Sequence, residues 1–364
     1  MSVVTGDGGV MTRVTSLDGV RGLAVLFVLL YHAGQPAVGG LLLQSGVDLF
    51  FVLSGFLIST ILLRTTERSD YFRNFYGRRF ARIFPLYYLV LVVFLVGAVI
   101  ALHYGVADDL GFPEAQNLID NQLWGWLYQV NNLEAFYSEA AFAGLAHLWS
   151  LSIEEQFYLL WPMVILWLRR LGAPVFKVCV ALALAGMAFR CFMYPIAGRD
   201  FAYYFTFCRV DGLLLGSAGA AAWLDPALRQ RLTPAVAWMS RRWWVIPILL
   251  LMPEQLGLYV GFTVISVAYL GLVLGANSGL LPARPTGWLE SRLLQHLGKY
   301  SYAIYIFSLP LSRAANDVYL TGIDLVDAVV RTVFVGLVSY AVARVSWALW
   351  ERPWLTLKKR FSYT

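Results

Sequence analysis

The sequence predicts an all-α protein, a polytopic bundle of about ten transmembrane helices with both termini in the cytoplasm. Three observations lead there. Of the 364 residues, 59% are hydrophobic and only 14% charged, with a mean hydropathy of +0.64; a water-soluble chain of this length needs far more charge to cover its surface. The apolar residues fall in repeated runs of about twenty, the length that crosses a hydrocarbon core. Basic residues crowd into alternate connections, as expected when Lys and Arg stay on the cytoplasmic side.

The helices follow in order. A polar tail, 1–16, precedes the first span at 17–36; no small-residue cleavage site follows that run, so it reads as a retained span. The second span, 46–64, ends at Arg64, and Arg68, Arg73, Arg78, Arg79 and Arg82 lead into the third at 81–104. The connection 105–146 has no Lys or Arg but carries Asp108, Asp109, Glu114, Asp120, Glu134 and Glu139. Its Trp124, Trp126, Tyr128, Phe136 and Tyr137 suit the outer interface, where aromatic rings favour the headgroup depth. The fourth span, 147–168, leads to Arg169, Arg170 and Lys177, and the fifth covers 174–196.

The sixth, 209–224, contains GLLLGSAGAAA, small residues that let helices approach closely. Arg229, Arg231, Arg241 and Arg242 follow it. A short seventh span at 243–253 and a close eighth at 256–276 precede the ninth at 298–313 and the tenth at 325–350. Arg352, Lys358, Lys359 and Arg360 form a basic tail, 356–364 marking its free part. One transmembrane domain, 17–355, thus fills the chain, its locale the cell membrane and the lipid bilayer its first partner.

Several classes are excluded. The net charge of +6 is explained by cytoplasmic anchoring, and no basic patch interleaved with aromatics offers a nucleic-acid surface. Cys179, Cys191 and Cys208 have neither metal-ligand nor disulfide spacing. No GxSxG elbow, HExxH zinc site, P-loop or GxGxxG occurs, and no metal is expected.

Ionisable groups inside spans are costly and mark function by default. Arg21 and His32 lie eleven residues apart in LDGVRGLAVLFVLLYHAG, about three turns and roughly 16 Å along one helical face. The fourth span runs the opposite way and carries HLWSLSIEEQFYLLWP, with His147 near its outer mouth. Ser152, Glu155 and Tyr158 recur there every three residues, and Glu155 falls at a depth comparable with His32. Asp48 begins the second span across a short outer hairpin from His32. A neutral imidazole can take a proton from a hydroxyl as it attacks a thioester, a carboxylate can hold the imidazole's tautomer, and Tyr or Ser can donate to an oxyanion. Each also has a plain reading: a hydrogen-bonded histidine for His32, a buried ion pair for Glu155, caps and packing for Ser152 and Tyr158. Arg21, Arg78, Arg79 and Arg82 suit phosphate recognition and equally suit topology anchoring.

With these residues in view, the chain resembles the membrane-bound acyltransferase 3 family, acyl-CoA-dependent O-acyltransferases of sugars, envelope polymers and natural products. The likeness covers 17–355. It is carried by the R-x10-H spacing of the first span, GVDLFFVLSGFLIS, RRFARIFPLYY, HLWSLSIEEQFYLLWP, RVDGLLLG, GKYSYAIYIFSLP and the ERP of ALWERPWL. It implies that Arg21 and His32 are the family's essential pair, and that Glu155, Ser152 and Tyr158 belong to its fourth-span motif. Arg78, Arg79 and Arg82 would face the donor's phosphates, and Arg209 and Asp211 would form an ion pair that shapes the bundle. One departure stands out: where many members have a histidine two residues before the ninth-span proline, this chain has Ser308. It also lacks the C-terminal soluble domain of some members, so transfer would be completed in the membrane or passed to a partner.

The resulting expectation is an O-acyltransferase moving a short acyl group, acetyl in the first instance, from cytoplasmic acyl-CoA (acetyl-CoA) to a hydroxyl of a glycan or a glycosylated or polyketide metabolite. The rival class is a multi-pass transporter of an envelope precursor, which midplane polar groups also suit. Oligomeric state has no signature in the sequence.

Overall fold

The computed structural model describes residues 14–34, 43–108, 112, 114–137, 142, 144–249, 251–252, 254–315 and 324–361. Among these every regular element is helical. The long helices are α1 (Thr15–Gly34), α2 (Gly46–Thr65), α3 (Tyr71–His103), α4 (Leu148–Arg170), α5 (Val175–Tyr204), α6 (Asp211–Leu224), α7 (Pro226–Arg241), α8 (Phe262–Ser278), α9 (Arg292–Ala314) and α10 (Asp324–Ser346). Residues 1–13 of the expected tail and most of the expected outer hairpin after His32 lie outside the described residues.

Six of the described segments are long and apolar enough to cross a membrane: Thr15–Ala33, Gly46–Thr65, Tyr71–His103, Val175–Tyr204, Gly257–Ser278 and Val326–Thr356. Both α4 and α9 have 23 residues, roughly 34 Å at 1.5 Å per residue, so each has the length without the unbroken apolarity. They carry the polar groups of the candidate site. The outward faces are apolar, with Val92, Val93, Val96 and Val99 of α3 and Leu159, Leu160, Met163 and Trp167 of α4 exposed. That is the pattern of a surface solvated by lipid.

Several elements differ from the sequence expectation; α3 begins at Tyr71, ten residues ahead of the expected 81, and α5 runs on to Tyr204. The segment 226–241, expected as a connection, is helix α7, started by Asp225, whose carboxylate accepts from the N–H groups of Ala227 and Leu228, with Pro226 in the first turn. Asp-Pro is a start signal, but the polar composition of α7 hid it from a reading based on apolar runs. The expected seventh span at 243–253 is reduced to a short helix, Val245–Leu249. The 105–146 connection holds three short helices, Ala115–Asp120, Gln122–Trp126 and Val130–Phe136.

Glycine seams position the site. A Cβ on Gly22 would stand 2.0 Å from the carbonyl oxygen of Leu294, and one on Gly298 would stand 2.0 Å from that of Asp18. The backbones of α1 and α9 therefore touch. Ten residues further along both helices, His32 meets Ser308, so the two run parallel and in step. A second seam joins α2 to α6, where Cβ atoms on Gly55 and Gly216 would strike the carbonyls of Leu213 and Val52. Without a hydrophobic drive between helices in lipid, such close van der Waals approach is what holds spans together. Gly22→Leu is expected to separate α1 from α9 and to abolish function, checked as loss of detergent-resistant folded protein on size-exclusion chromatography.

Candidate active site

A cavity opens between α1, α2, α3, α4 and α9. At one end Arg21 of α1 meets Arg79 and Arg82 of α3. Asp18, one turn before Arg21, is 3.8 Å from its guanidinium. The C-terminal residues fold over the same region: Arg78 Nη1 donates to the Phe361 carbonyl at 2.9 Å, and the Phe361 ring sits where a Gly77 side chain would be. Lys358 joins this cluster, which also holds Glu351. Burial, and then the charges of Arg82, Arg79, Arg78 and Arg21, push the Lys358 ammonium down to about 6.

Midway along the cavity stands Glu154 of α4. Its carboxylate accepts from Ser54 Oγ of α2 at 3.2 Å and from the Tyr158 hydroxyl at 2.7 Å. The Arg79 guanidinium lies 4.8 Å from the centre of the Tyr158 ring, and its charge reaches both Glu154 and Glu155. Glu155 is not among the cavity's lining residues. It faces the tyrosine layer of Tyr87, Tyr88, Tyr128 and Tyr302, with Oε1 buried and without a hydrogen bond. Ser152 is fully buried and donates to the Leu148 carbonyl one turn back. The reason lies in helix geometry. A three-residue step leaves each side chain about 60° short of a full turn, so Ser152, Glu155 and Tyr158 spiral apart, whereas Glu154 and Tyr158, four apart, differ by about 40°. Of two adjacent glutamates the sequence shows no reason to choose the first.

Beyond the carboxylate, Ser150 of α4 and Tyr305 of α9 line the cavity and hydrogen bond to each other at 2.5 Å. Tyr305 also donates to the His147 carbonyl at 2.6 Å; its one proton is committed there, so Ser150 is the donor of the pair. Behind them sits His32, with the Tyr305 ring centre 6.3 Å and the His147 ring centre 5.6 Å away. Ser308 Oγ donates to the Tyr305 carbonyl at 2.9 Å, so its contact with His32 Nδ1 at 2.7 Å is one it accepts. His32 therefore carries its proton on Nδ1 and presents a lone pair at Nε2. Ser312 Oγ holds the His32 carbonyl. The serine at 308 thus sets the tautomer of His32.

Asp48 is elsewhere. It pairs with Arg209 at 2.9 Å, and Asp211 pairs with Arg190 at 3.0 Å. The expected Arg209–Asp211 pair does not form, because residues two apart on a helical turn point to different sides. Arg190 also donates to Thr263 at 2.8 Å and to the Cys208 carbonyl, and the Arg209 guanidinium lies 3.6 Å from the Phe262 ring centre. Both arginines are almost fully buried.

The structure therefore gathers Arg21, Arg79, Arg82 and Tyr158 around one cavity, puts His32 just behind its far wall, and sets Asp48, Ser152 and Glu155 apart from it. Glu154, Ser54, Ser150 and Tyr305 were missed by sequence reasoning. Among the described residues no group of His, Cys, Asp and Glu is arranged to hold a metal ion. Glu154→Gln is expected to slow turnover several-fold, because Ser54 and Tyr158 donate to different carboxylate oxygens and an amide turns one of those positions into a donor; Glu155→Gln is expected to act on abundance instead. Turnover normalised to folded protein distinguishes the two.

Residues 14–348 match the family model described as an acyltransferase domain. The chain is 29% identical over 359 residues to the peptidoglycan O-acetyltransferase OatA of Listeria monocytogenes, covering 93% of this chain and 55% of that protein. Over 358 residues it is 28% identical to the O-acetyltransferase OatA of Staphylococcus aureus, covering 93% of this chain and 56% of that one. The chain spans a little over half the length of these curated relatives. No solved structure matches it.

Proposed function

The chain belongs to the acyltransferase domain family, and on that premise we propose that it is an integral-membrane O-acetyltransferase, moving an acetyl group from acetyl-CoA to a hydroxyl of an envelope glycan. The observation that carries this reading is the alignment of Arg21 and His32 on α1, a cation at one end of the cavity and an imidazole with its Nε2 lone pair beyond the other. The names of the relatives, which act as O-acetyltransferases, support the acyl group and the hydroxyl acceptor.

The arginine end suits the donor. Arg21, Arg78, Arg79, Arg82 and Lys358 stand together, with Asp18, Glu351, Glu154 and Glu155 the carboxylates in their reach, and such a cluster of cations fits a polyphosphate. Bound there, acetyl-CoA supplies an activated thioester. The chain's own residues do the rest. Glu154, Ser54 and Tyr158 line the passage for the pantetheine arm. His32 Nε2 takes the acceptor's proton as its oxygen bonds to the acetyl carbon, and returns that proton to the sulfur as the carbon–sulfur bond breaks. Ser308 keeps Nδ1 protonated throughout.

A pH effect follows from Lys358. Its ammonium is depressed by burial and by Arg82, Arg79, Arg78 and Arg21, while Glu351 is the acid beside it. Phosphate binding favours the charged form, so binding takes up a proton. The apparent KM for acetyl-CoA should rise as pH climbs from 6 to 8, by at most about tenfold per unit, and Lys358→Met should flatten the profile. A profile unchanged by the substitution would remove Lys358 from the donor site.

The direct test is acceptor-stimulated thiol release from acetyl-CoA by the purified chain, with mass spectrometry of the glycan product. An acetyl mass increment on the glycan is the expected result. Binding of glycan without thiol release or increment would replace the enzyme reading with transport.

A further inference from the structure

His147 has no part in the scheme above, yet it is buried beside the base. It is 4% exposed, its ring stands edge-on to His32 with centres 5.6 Å apart, and it lies 5.4 Å from the Tyr305 ring. Nε2 contacts the Ile306 carbonyl at 2.9 Å. A carbonyl only accepts, so Nε2 carries the proton and Nδ1 carries a lone pair. That Nδ1 is buried and has no hydrogen-bond partner. An unmet buried acceptor costs free energy unless something occupies it in the working state. The backbone holds the ring in place: Tyr305 donates to the His147 carbonyl from the α9 side, in the same turn that supplies Ile306 and Ser308.

Two imidazoles thus sit side by side, each locked by α9 into one tautomer, with His32 presenting Nε2 and His147 presenting Nδ1. A single hydroxyl has one proton and satisfies one of them. We propose that His147 is an acceptor-binding residue, its Nδ1 receiving a second O–H or N–H hydrogen of the acceptor while His32 takes the proton of the reacting hydroxyl. The acceptor class this selects is a polyol or acylated amino sugar, with a hydrogen-bond donor next to the hydroxyl that reacts, over an isolated alcohol. The inference rests on the O-acetyltransferase reading.

Two substitutions separate this role from a structural one. His147→Gln places an amide nitrogen near Nε2, keeping the bond to Ile306 and losing the Nδ1 lone pair. His147→Asn places an amide oxygen near Nδ1, keeping the acceptor and losing the Ile306 bond. The full chain in lipid nanodiscs is assayed for thiol release from acetyl-CoA with a β-1,4-linked N-acetylglucosamine oligomer. Loss of one hydrogen bond corresponds to about tenfold in affinity. His147→Gln should raise the oligomer's KM about tenfold, with the KM for acetyl-CoA unchanged, and His147→Asn should keep the oligomer's KM near that of wild type.

The reverse pattern, Gln normal and Asn impaired, would make His147 a structural residue, and two normal variants would make it a bystander; either overturns the proposal. Should both variants lose folded protein, 15N-histidine spectra of the wild-type chain decide. The oligomer should move an unprotonated ring-nitrogen signal of His147 upfield, and saturating oligomer without that shift overturns the proposal. Absence of thiol release by the wild-type chain would instead sink the enzyme reading, and this proposal with it.

Discussion

His32→Ala is expected to lower glycan acetylation by about two to four orders of magnitude, the range that a positioned general base supplies, at unchanged abundance. The fold tolerates the change because the helix is held at the other end by the glycine seam and at this end by a backbone contact, Ser312 to the His32 carbonyl, which survives loss of the ring. The accompanying change Ser308→Ala should lower the rate by less. It frees Nδ1 to lose its proton and lets the ring adopt the tautomer that cannot serve as base from Nε2. Mass spectrometry of cell-envelope glycans, normalised to protein in the membrane, checks both. A His32→Ala strain that still acetylates at a near-normal level would move the chemistry to another group, with His147 the neighbour to examine.

Arg209→Met is expected to destabilise the fold by about 3–5 kcal/mol, the cost of leaving a buried partner unpaired. The stranded group is Asp48, whose second oxygen is already buried without a hydrogen bond. Asp48→Ala should be similarly damaging, since Arg209 Nε and Nη1 also lack partners. The double variant should recover much of the loss, because replacing both members of a buried pair with apolar groups is often close to neutral. Thermal unfolding of the detergent-solubilised chain measures the cycle. Asp48 was a candidate for the chemistry on sequence grounds; a variant with full stability and no transfer would restore it to that role.

Much of the bundle was legible because its determinants are local. Apolar run length, the arginines after α2 and α4, and the acid-rich 105–146 connection each report on a segment by itself. Helix α7 escaped because its amphipathic composition resembles a loop when only apolar runs are read. The site was legible in part for a related reason. Arg21 and His32 stand out as ionisable groups in an apolar helix, but the partner of each polar group is set by tertiary contacts. Glu154 and Glu155 are indistinguishable neighbours until α2 brings Ser54 to one of them. Asp48 is drawn from His32 by Arg209, 161 residues later. Ser308 was visible as a departure from the family pattern, and its effect on the His32 tautomer needed the Tyr305 carbonyl.

The seam between α1 and α9 also sets a timetable. The helix with Arg21 and His32 leaves the ribosome well before its partner, since its lattice of backbone contacts lies about 270 residues downstream. At roughly 5–20 residues per second, its glycine face waits between about a quarter of a minute and a minute for its partner. During that interval the face is open to lipid or to whatever chaperones nascent spans. The cavity comes into existence only when α9 inserts, because Ser301, Tyr302 and Tyr305 form one of its walls. The order of synthesis thus delays the pocket until the bundle around it is built.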